Sequence, residues 1–466
     1  MKKITAKHSY EGKGSCSKQL LFFVPNLFNV FVDKETKMLY CFLGNNISKE
    51  NHMSIQQNSI NQQQPVNRRA LSFGLFSVFL CGIGFSIINP VVPFLVQPYV
   101  QSASQQAFFV TLLSSVYAIC LFFASPVLGA LSDKYGRRPL LLLCLLGSAA
   151  GYFIFGLGGA MWILFAGRII EGVTGGTIGT LFAYFSDILP PEQRTKYFGW
   201  VSAFVGAGTV IGPAVGGLLA KFGYAVPMYV GAAVTLLNVC YGYFYMPESL
   251  DKSRRSANLS LKKLNPIHQF SGILSMKTLR ILLFSGFLLW LPNGALQSVF
   301  SQFTMDTFNW KPFLIGLMFS IMGFQDIFSQ SLIMPQLLKK FSDQKIALFG
   351  MAGECLGYLF IALSAIYTFY PLFIVGMFLF GFGDSIFGPS FTGMLSKSAN
   401  PEEQGRVQGS SQSIQALARM IGPLVGGQLY ITLGHFAPAL MGVFLLLAAA
   451  GMLKRFKEGE TVPDER

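Results

Sequence analysis

Among the polar side chains inside the long apolar runs of this sequence, six ionisable groups and one amide are where its chemistry has to be. Arg168 and Glu171 are three residues apart in "AGRIIEGVTGG", so on a helix they share a face and can neutralise each other. Asp326 with Gln330, then Glu354, Asp384 and Arg419, follow in later runs. An ionised carboxylate at the centre of a bilayer costs about 2.5–3.5 kcal/mol even on insertion scales, so each acid needs a partner or a purpose. Arg168 and Glu171 read either as a self-neutralised structural pair or as a cavity pair in which the arginine tunes a carboxylate's proton affinity. Asp384, in "GFGDSIFGPS", has no basic residue within a turn of sequence. A carboxylate moved between wet and dry surroundings changes its proton affinity, which makes Asp384 the first candidate for a proton carrier. Its plainer reading, a carboxyl hydrogen-bonded within a bundle, applies equally to Glu354 and Asp326. Arg419, just before "MIGP", is expected near a cytoplasmic gate or paired with one of these acids.

The elements that must hold these residues are membrane helices. The chain has 466 residues, 52% hydrophobic and only 12% charged, with 46 Phe and 49 Gly. Soluble domains carry about twice that charged fraction, and small residues let helices approach closely in lipid. Spans of roughly 20 apolar residues are expected at about 71–97, 107–131, 139–157, 161–186, 198–220, 225–246, 279–304, 312–337, 346–366, 369–396, 406–431 and 433–454. This is an all-α integral membrane fold of twelve transmembrane helices. The formal charge of +14 is not gathered into one face or stripe but falls between the apolar runs, which points to a membrane surface and not to nucleic acid.

Lys and Arg also orient the chain. One set of loops holds Lys134, Arg137 and Arg138, then Arg194 and Lys196, then Lys339, Lys340 and Lys345, then Lys397 and Arg406, whereas the alternate set holds only Lys221 and Lys311. The first set, and with it both termini, is expected to be cytoplasmic. The expected organisation is a tail over 1–70, a six-helix bundle over 71–246, a basic linker over 247–278, a second bundle over 279–455 and a tail over 456–466. Residues 1–52 fit neither a span nor a signal peptide, and Met53 is expected to be the natural start. The halves repeat: "PEQRTKYFGW…VIGPAVGGLL" returns as "PEEQGRVQGS…MIGPLVGGQL", and Pro191 to Pro401 is the same 210-residue step as Gly212 to Gly422. Duplicated, pseudo-twofold-related bundles with parallel topology are one of the known transporter plans.

Between two apolar runs stands "GALSDKYGRRPLL". Gly129 is expected to let another helix pack on the end of span two, and Gly136 to supply the turn. Asp133 is expected against a helix N-terminus, with Arg137 and Arg138 anchoring span three at the inner surface. In span five, Gly208, Gly212, Pro213, Gly216 and Gly217 permit tight packing, with a bend at Pro213 setting how the halves rock. Phe85, Phe94, Trp290, Phe303 and Trp310 could line a cavity for flat apolar molecules or face lipid. Seven cysteines without CxxC spacing imply no disulfide framework and no zinc site, and four histidines in tails, loops or at a span's edge argue against a membrane metalloenzyme.

These stretches resemble the major facilitator superfamily. "GALSDKYGRRPLL" is similar to its loop 2–3 signature, "AGRIIEGVTGG" to its span-four motif, "GTVIGPAVGG" to the span-five antiporter pattern, and "MPES" to its close of span six. "RTKYFGWVSAFVGAGTVIGPAVGG" and "FNWKPFLIGLMFS" look most like the bacterial tetracycline-efflux and multidrug drug–proton antiporters. The resemblance implies alternating access, a small-molecule substrate, proton exchange, no cofactor beyond the proton gradient, a bacterial inner membrane and action as a monomer. It also implies acids in spans one and three, but this sequence has Cys81 and Gly151 there, whereas Asp326 stands for a span-eight His, Gln330 matches a Gln, and Glu354 stands for a span-nine acid. No G-x-x-x-x-G-K-[ST] sequence is present, so ATP is not the expected drive. Proton-linked uptake and a non-transporting receptor on the same fold are the rival readings. An enzyme is not, for want of a nucleophile–base or metal constellation.

Overall fold

The computed structural model describes residues 68–255, 277–398 and 404–455. Most of the linker, both tails and the question of Met53 lie outside the described residues. Helices follow one another in the expected order: α1 (Arg68–Ile87), α2 (Ala103–Tyr135), α3 (Arg137–Leu157), α4a (Met161–Val173), α4b (Thr177–Ile188), α5 (Pro191–Leu219), α6 (Val226–Tyr245), α7 (Lys277–Phe308), α8a (Pro312–Phe328), α8b (Met334–Leu338), α9 (Asp343–Tyr367), α10 (Tyr370–Lys397), α11 (Gln404–Leu433) and α12 (Ala437–Arg455).

Among the described residues, ten helices are long and apolar enough to cross a membrane. The other two expected spans are helical as well. Span four is broken between α4a and α4b at the "TGG" of Thr174–Gly176, where Gly175 and Gly176 let the backbone of α4 approach Leu121 and Leu128. Span eleven is the unbroken but more polar α11. Span one ends at Ile87, and a separate short helix, Val92–Val96, follows Pro90. Span eight carries a π-helical turn, Ser329–Ile333, immediately after Asp326, and such turns are frequent at functional sites.

The repeat seen in sequence is a repeat of packing. α1 packs on α5, α3 on α4a and on α6; likewise α7 packs on α11, α9 on α10 and on α12. Two further pairs join the halves in the same pseudo-symmetric way, α5 with α8a and α2 with α11. Glycine makes the close approaches possible. A Cβ on Gly208 or Gly216 would run into the α1 carbonyls of Phe79 or Ile87. One on Gly422 would lie 2.6 Å from the α7 carbonyl of Leu291.

Candidate functional site

The charged hairpin is a network inside the N-terminal half. Gly136, at φ 106°, ends α2 and opens α3 in a conformation that L side chains resist. Arg137 is thereby turned inward and is only 9% exposed. Its Nη1 donates to Asp133 Oδ1 at 2.5 Å and its Nε to Asp187 Oδ2 at 2.9 Å. Asp133 therefore does not cap a helix; it pairs with Arg137 one turn on. Glu248 of "MPES" takes the helix N-terminus instead: it accepts from the backbone N–H of Arg137 (2.9 Å) and of Arg138 (3.3 Å). Nor is Arg137 a surface anchor, because two carboxylates hold it below the surface. Arg138 keeps that role, with Nη2 on the Tyr243 carbonyl at 2.5 Å and its guanidinium over the Tyr243 ring. Gly129 is exposed, and no atom of another residue lies within 4 Å of where a Cβ would stand, so the expected helix contact is not made in this conformation. The second half has a counterpart with its charges exchanged. At the start of α9 and the end of α10, Asp343 Oδ2 meets Lys397 Nζ at 2.6 Å.

Deeper in the N-terminal half, Arg168 Nη1 meets Glu171 Oε2 at 2.6 Å, both side chains below 10% exposure. The guanidinium also lies 4.7 Å over the Tyr117 ring, a cation–π contact. A pocket opens here, lined by Cys81, Phe85, Tyr117, Tyr152, Glu171 and Asn238 among others. Gly151 sits where the relatives' acid is expected, for a steric reason. A Cβ there would come within 3.0 Å of Glu171 Cβ and of the Gly167 carbonyl, so the glycine lets α3 and α4a touch.

The C-terminal half is built differently. Asn293 of α7 donates to Asp384 Oδ1 at 3.0 Å. Arg419 of α11 lies against Gly294, next to Asn293; it is exposed and makes no ion pair within 4 Å among the described residues. Asp326 accepts from Gln330 Nε2 at 2.8 Å, across the start of the π-helical turn. Glu354 is 0% exposed and packed under Gly383 of α10, and neither carboxyl oxygen has a hydrogen-bond partner among the described residues. Tyr358, one turn along, is also fully buried, its hydroxyl likewise unpartnered among those residues.

The span-five motif has two functions. Gly208, Gly212 and Gly216 face α1, whereas a Cβ on Gly217 would lie 2.5 Å from the Pro312 carbonyl of α8a, across the two halves. Pro213 lies inside a helix that continues to Leu219, and its carbonyl packs on Gly316. The mirror contact is Gly427 against Thr111. Ser301 Oγ donates to the Asn89 carbonyl at 2.7 Å and adds to the same seal. The contacts between halves at Gly217, Gly316, Gly427 and Ser301 lie at the end of the bundle that carries loops 1–2, 5–6, 7–8 and 11–12. The aromatic expectation needs correcting. Phe303 and Phe94 are core residues, 2% and 8% exposed, and Trp290 packs on Phe391; of the five only Phe85 lines the pocket. Asp187, Glu248, Asn293, Tyr117 and Tyr152 are the site residues that pattern reading missed. Of these only Glu248 stood in a recognisable motif.

Two repeated helical bundles that hold charged side chains within their spans and touch each other, among the described residues, at the end that carries loops 1–2, 5–6, 7–8 and 11–12 have the architecture of a membrane transporter. The sequence matches the Major Facilitator Superfamily over residues 74–323 and 282–465, and the chain belongs to that family. It is 34% identical over 365 residues to the class C tetracycline resistance protein of Escherichia coli, covering 78% of this chain and 90% of that one. It is 28% identical over 404 residues to multidrug resistance protein 2 of Bacillus subtilis, 86% and 97% of the two chains. Among solved structures, the D-xylose-proton symporter superposes with a TM-score of 0.67 at 17% identity, over 85% of this chain and all of the other.

Proposed function

We propose that this transporter exports drug-like or amphipathic small molecules in exchange for protons, by alternating access, in a bacterial inner membrane with both termini cytoplasmic. The observation that carries the reading is the unequal pairing of the acids within the spans, of which Glu171 and Glu354 are buried and Asp326 and Asp384 half-buried. In the N-terminal half the acid Glu171 is held by an arginine at 2.6 Å; in the C-terminal half Asp384, Asp326 and Glu354 have no cation at contact distance among the described residues. A coupled carrier needs groups whose charge changes between access states, and acids without a fixed counterion are the ones free to do so. Asp384 is the first choice, because Asn293 orients it and Arg419 can approach it as the halves move. Asp326, Gln330 and Glu354 support it, and the Arg168–Glu171 pair shapes the substrate side beside the N-half pocket.

The loop charges make the sealed end the outer one, so this conformation is open towards the cytoplasm. The Asp133–Arg137–Asp187 network then waits at the open end, as the inner gate. Names of relatives supply the substrate class: tetracycline for the first, several drugs for the second. The test is drug susceptibility and accumulation in cells with and without expression, with and without a protonophore. Lower accumulation that the protonophore abolishes supports export. Higher accumulation on expression would mean proton-linked uptake instead.

A further inference from the structure

A second titratable cluster lies away from this site, at the sealed end of the C-terminal half. Tyr430 Oη of α11 donates to Asp306 Oδ2 of α7 at 2.8 Å. Gln302 Nε2 donates to both oxygens of the same carboxylate, at 2.8 and 2.9 Å. The imidazole of His435 stacks on the Tyr430 ring, centroids 4.6 Å apart and planes 7° apart. Its Nδ1 is 3.1 Å from Thr307 Oγ1. Gly434, at φ 104°, turns the chain out of α11 so that His435 folds back onto Tyr430. The fold itself does not require this cluster: one 210-residue repeat earlier, Tyr430 and His435 correspond to Ala220 and Ala225.

Its position gives it a use. The turn of α7 that carries Gln302, Asp306 and Thr307 also carries Ser301, which bonds to Asn89 of the other half, and Met305, whose Sδ is 3.9 Å from Gln106 Nε2 of the other half. One side of that turn makes the seal, and the other is held by the cluster. His435 contacts Thr307 of α7 and Tyr430 of α11, and the Asp306 carboxylate lies beyond the Tyr430 hydroxyl. α12, which follows it, has no charged residue before Lys454 and Arg455 at its far end. An imidazole is the side chain that changes charge between about pH 5 and 8. Once protonated, its Nδ1–H has Thr307 Oγ1 to donate to, its charge lies over an aromatic face, and the Asp306 carboxylate lies just beyond the tyrosine hydroxyl.

We propose that Asp306, Tyr430 and His435 form an acid-responsive latch that stiffens the outer end of α7 and favours the outward-closed state when His435 is protonated. The sign follows from the conformation: the cluster's contacts are made here, with the seal closed, and a cationic His435 strengthens its hold on Thr307 and Tyr430, so acid favours closure. In a carrier that takes protons from an acidic exterior, as proposed above, their arrival would then promote closure behind them.

The test uses spin labels at Gln101→Cys and Lys311→Cys, on the loops of the two halves at this end, in a variant lacking native cysteines and held in lipid nanodiscs without substrate or gradient. Between pH 8 and pH 5.5 the closed-to-open ratio should rise about five-fold, the size expected of one cation–π and one charge-assisted contact. His435→Gln should abolish that rise and leave the pH 8 distribution unchanged. Asp306→Asn, which keeps the shape, should reduce it. A wild-type protein without the rise, or a His435→Gln or Asp306→Asn variant that keeps it in full, overturns the latch. Asp384→Asn carrying the same labels should keep the rise; if it loses the rise, the response belongs to the coupling site and the latch is refuted. Should transport prove independent of protons while the His435-dependent rise persists, the latch stands and the reading of the drive fails.

Discussion

Arg137 holds two carboxylates, and the structure ranks them. Asp133, the acid of the loop motif, is 55% exposed, whereas Asp187 is 18% exposed and also accepts from Ser249 Oγ at 3.1 Å. An exposed ion pair one turn apart contributes about 0.2–1 kcal/mol after solvent screening. A largely buried hydrogen bond to a charged group contributes about 1.5–3 kcal/mol. Double-mutant cycles should therefore give Arg137→Ala with Asp187→Ala a coupling of about 2 kcal/mol, and Arg137→Ala with Asp133→Ala about 0.5 kcal/mol. Pulse proteolysis in detergent micelles across a denaturant series reads both couplings. If the Asp133 coupling equals or exceeds the Asp187 coupling, the geometric ranking is wrong, and Asp133 must then matter through contacts made in another conformation.

Gly136→Ala should lower stability by at least about 1–2 kcal/mol, because its φ of 106° is strained for alanine and the added methyl meets the Glu248 carboxylate; the same proteolysis assay checks it, and an unchanged midpoint would contradict it. Gly217→Leu should leave expression intact but slow transport severely, since α5 could no longer close on the Pro312 carbonyl; wild-type uptake into inverted vesicles would show that contact to be dispensable. A single cysteine at Lys340 should resist an impermeant thiol reagent in intact cells, while one at Lys311 should react; both positions are exposed. Labelling at Lys340 from outside would reverse the orientation.

Helix order and the repeat were legible because hydropathy and the recurring "GP..GG" respond directly to lipid and to close helix contact. Breaks inside spans are harder to read: the "TGG" at Thr174 and the π-helical turn after Asp326 leave hydropathy untouched. The i,i+3 spacing of Arg168 and Glu171 announces their pair, since one helix supplies both partners. Partners from different helices carry no such signal, which is why Asp187 against Arg137 and Asn293 against Asp384 emerge only in three dimensions. Charge alone assigns Asp133 to a helix N-terminus, but Glu248, far along the chain, is better placed for the α3 amides. Gly151 looks in sequence like a lost acid and is instead a contact surface.

The central claim is that the proton is carried in the C-terminal half, and reconstituted vesicles test it most directly. Adding substrate to wild-type protein in a weakly buffered medium should release protons, and Asp384→Asn should abolish that release while leaving substrate binding measurable. Glu171→Gln, which removes the charge held by Arg168, should retain it. Proton release that survives Asp384→Asn and disappears in Glu171→Gln would move the coupling site to the N-terminal half and contradict the account.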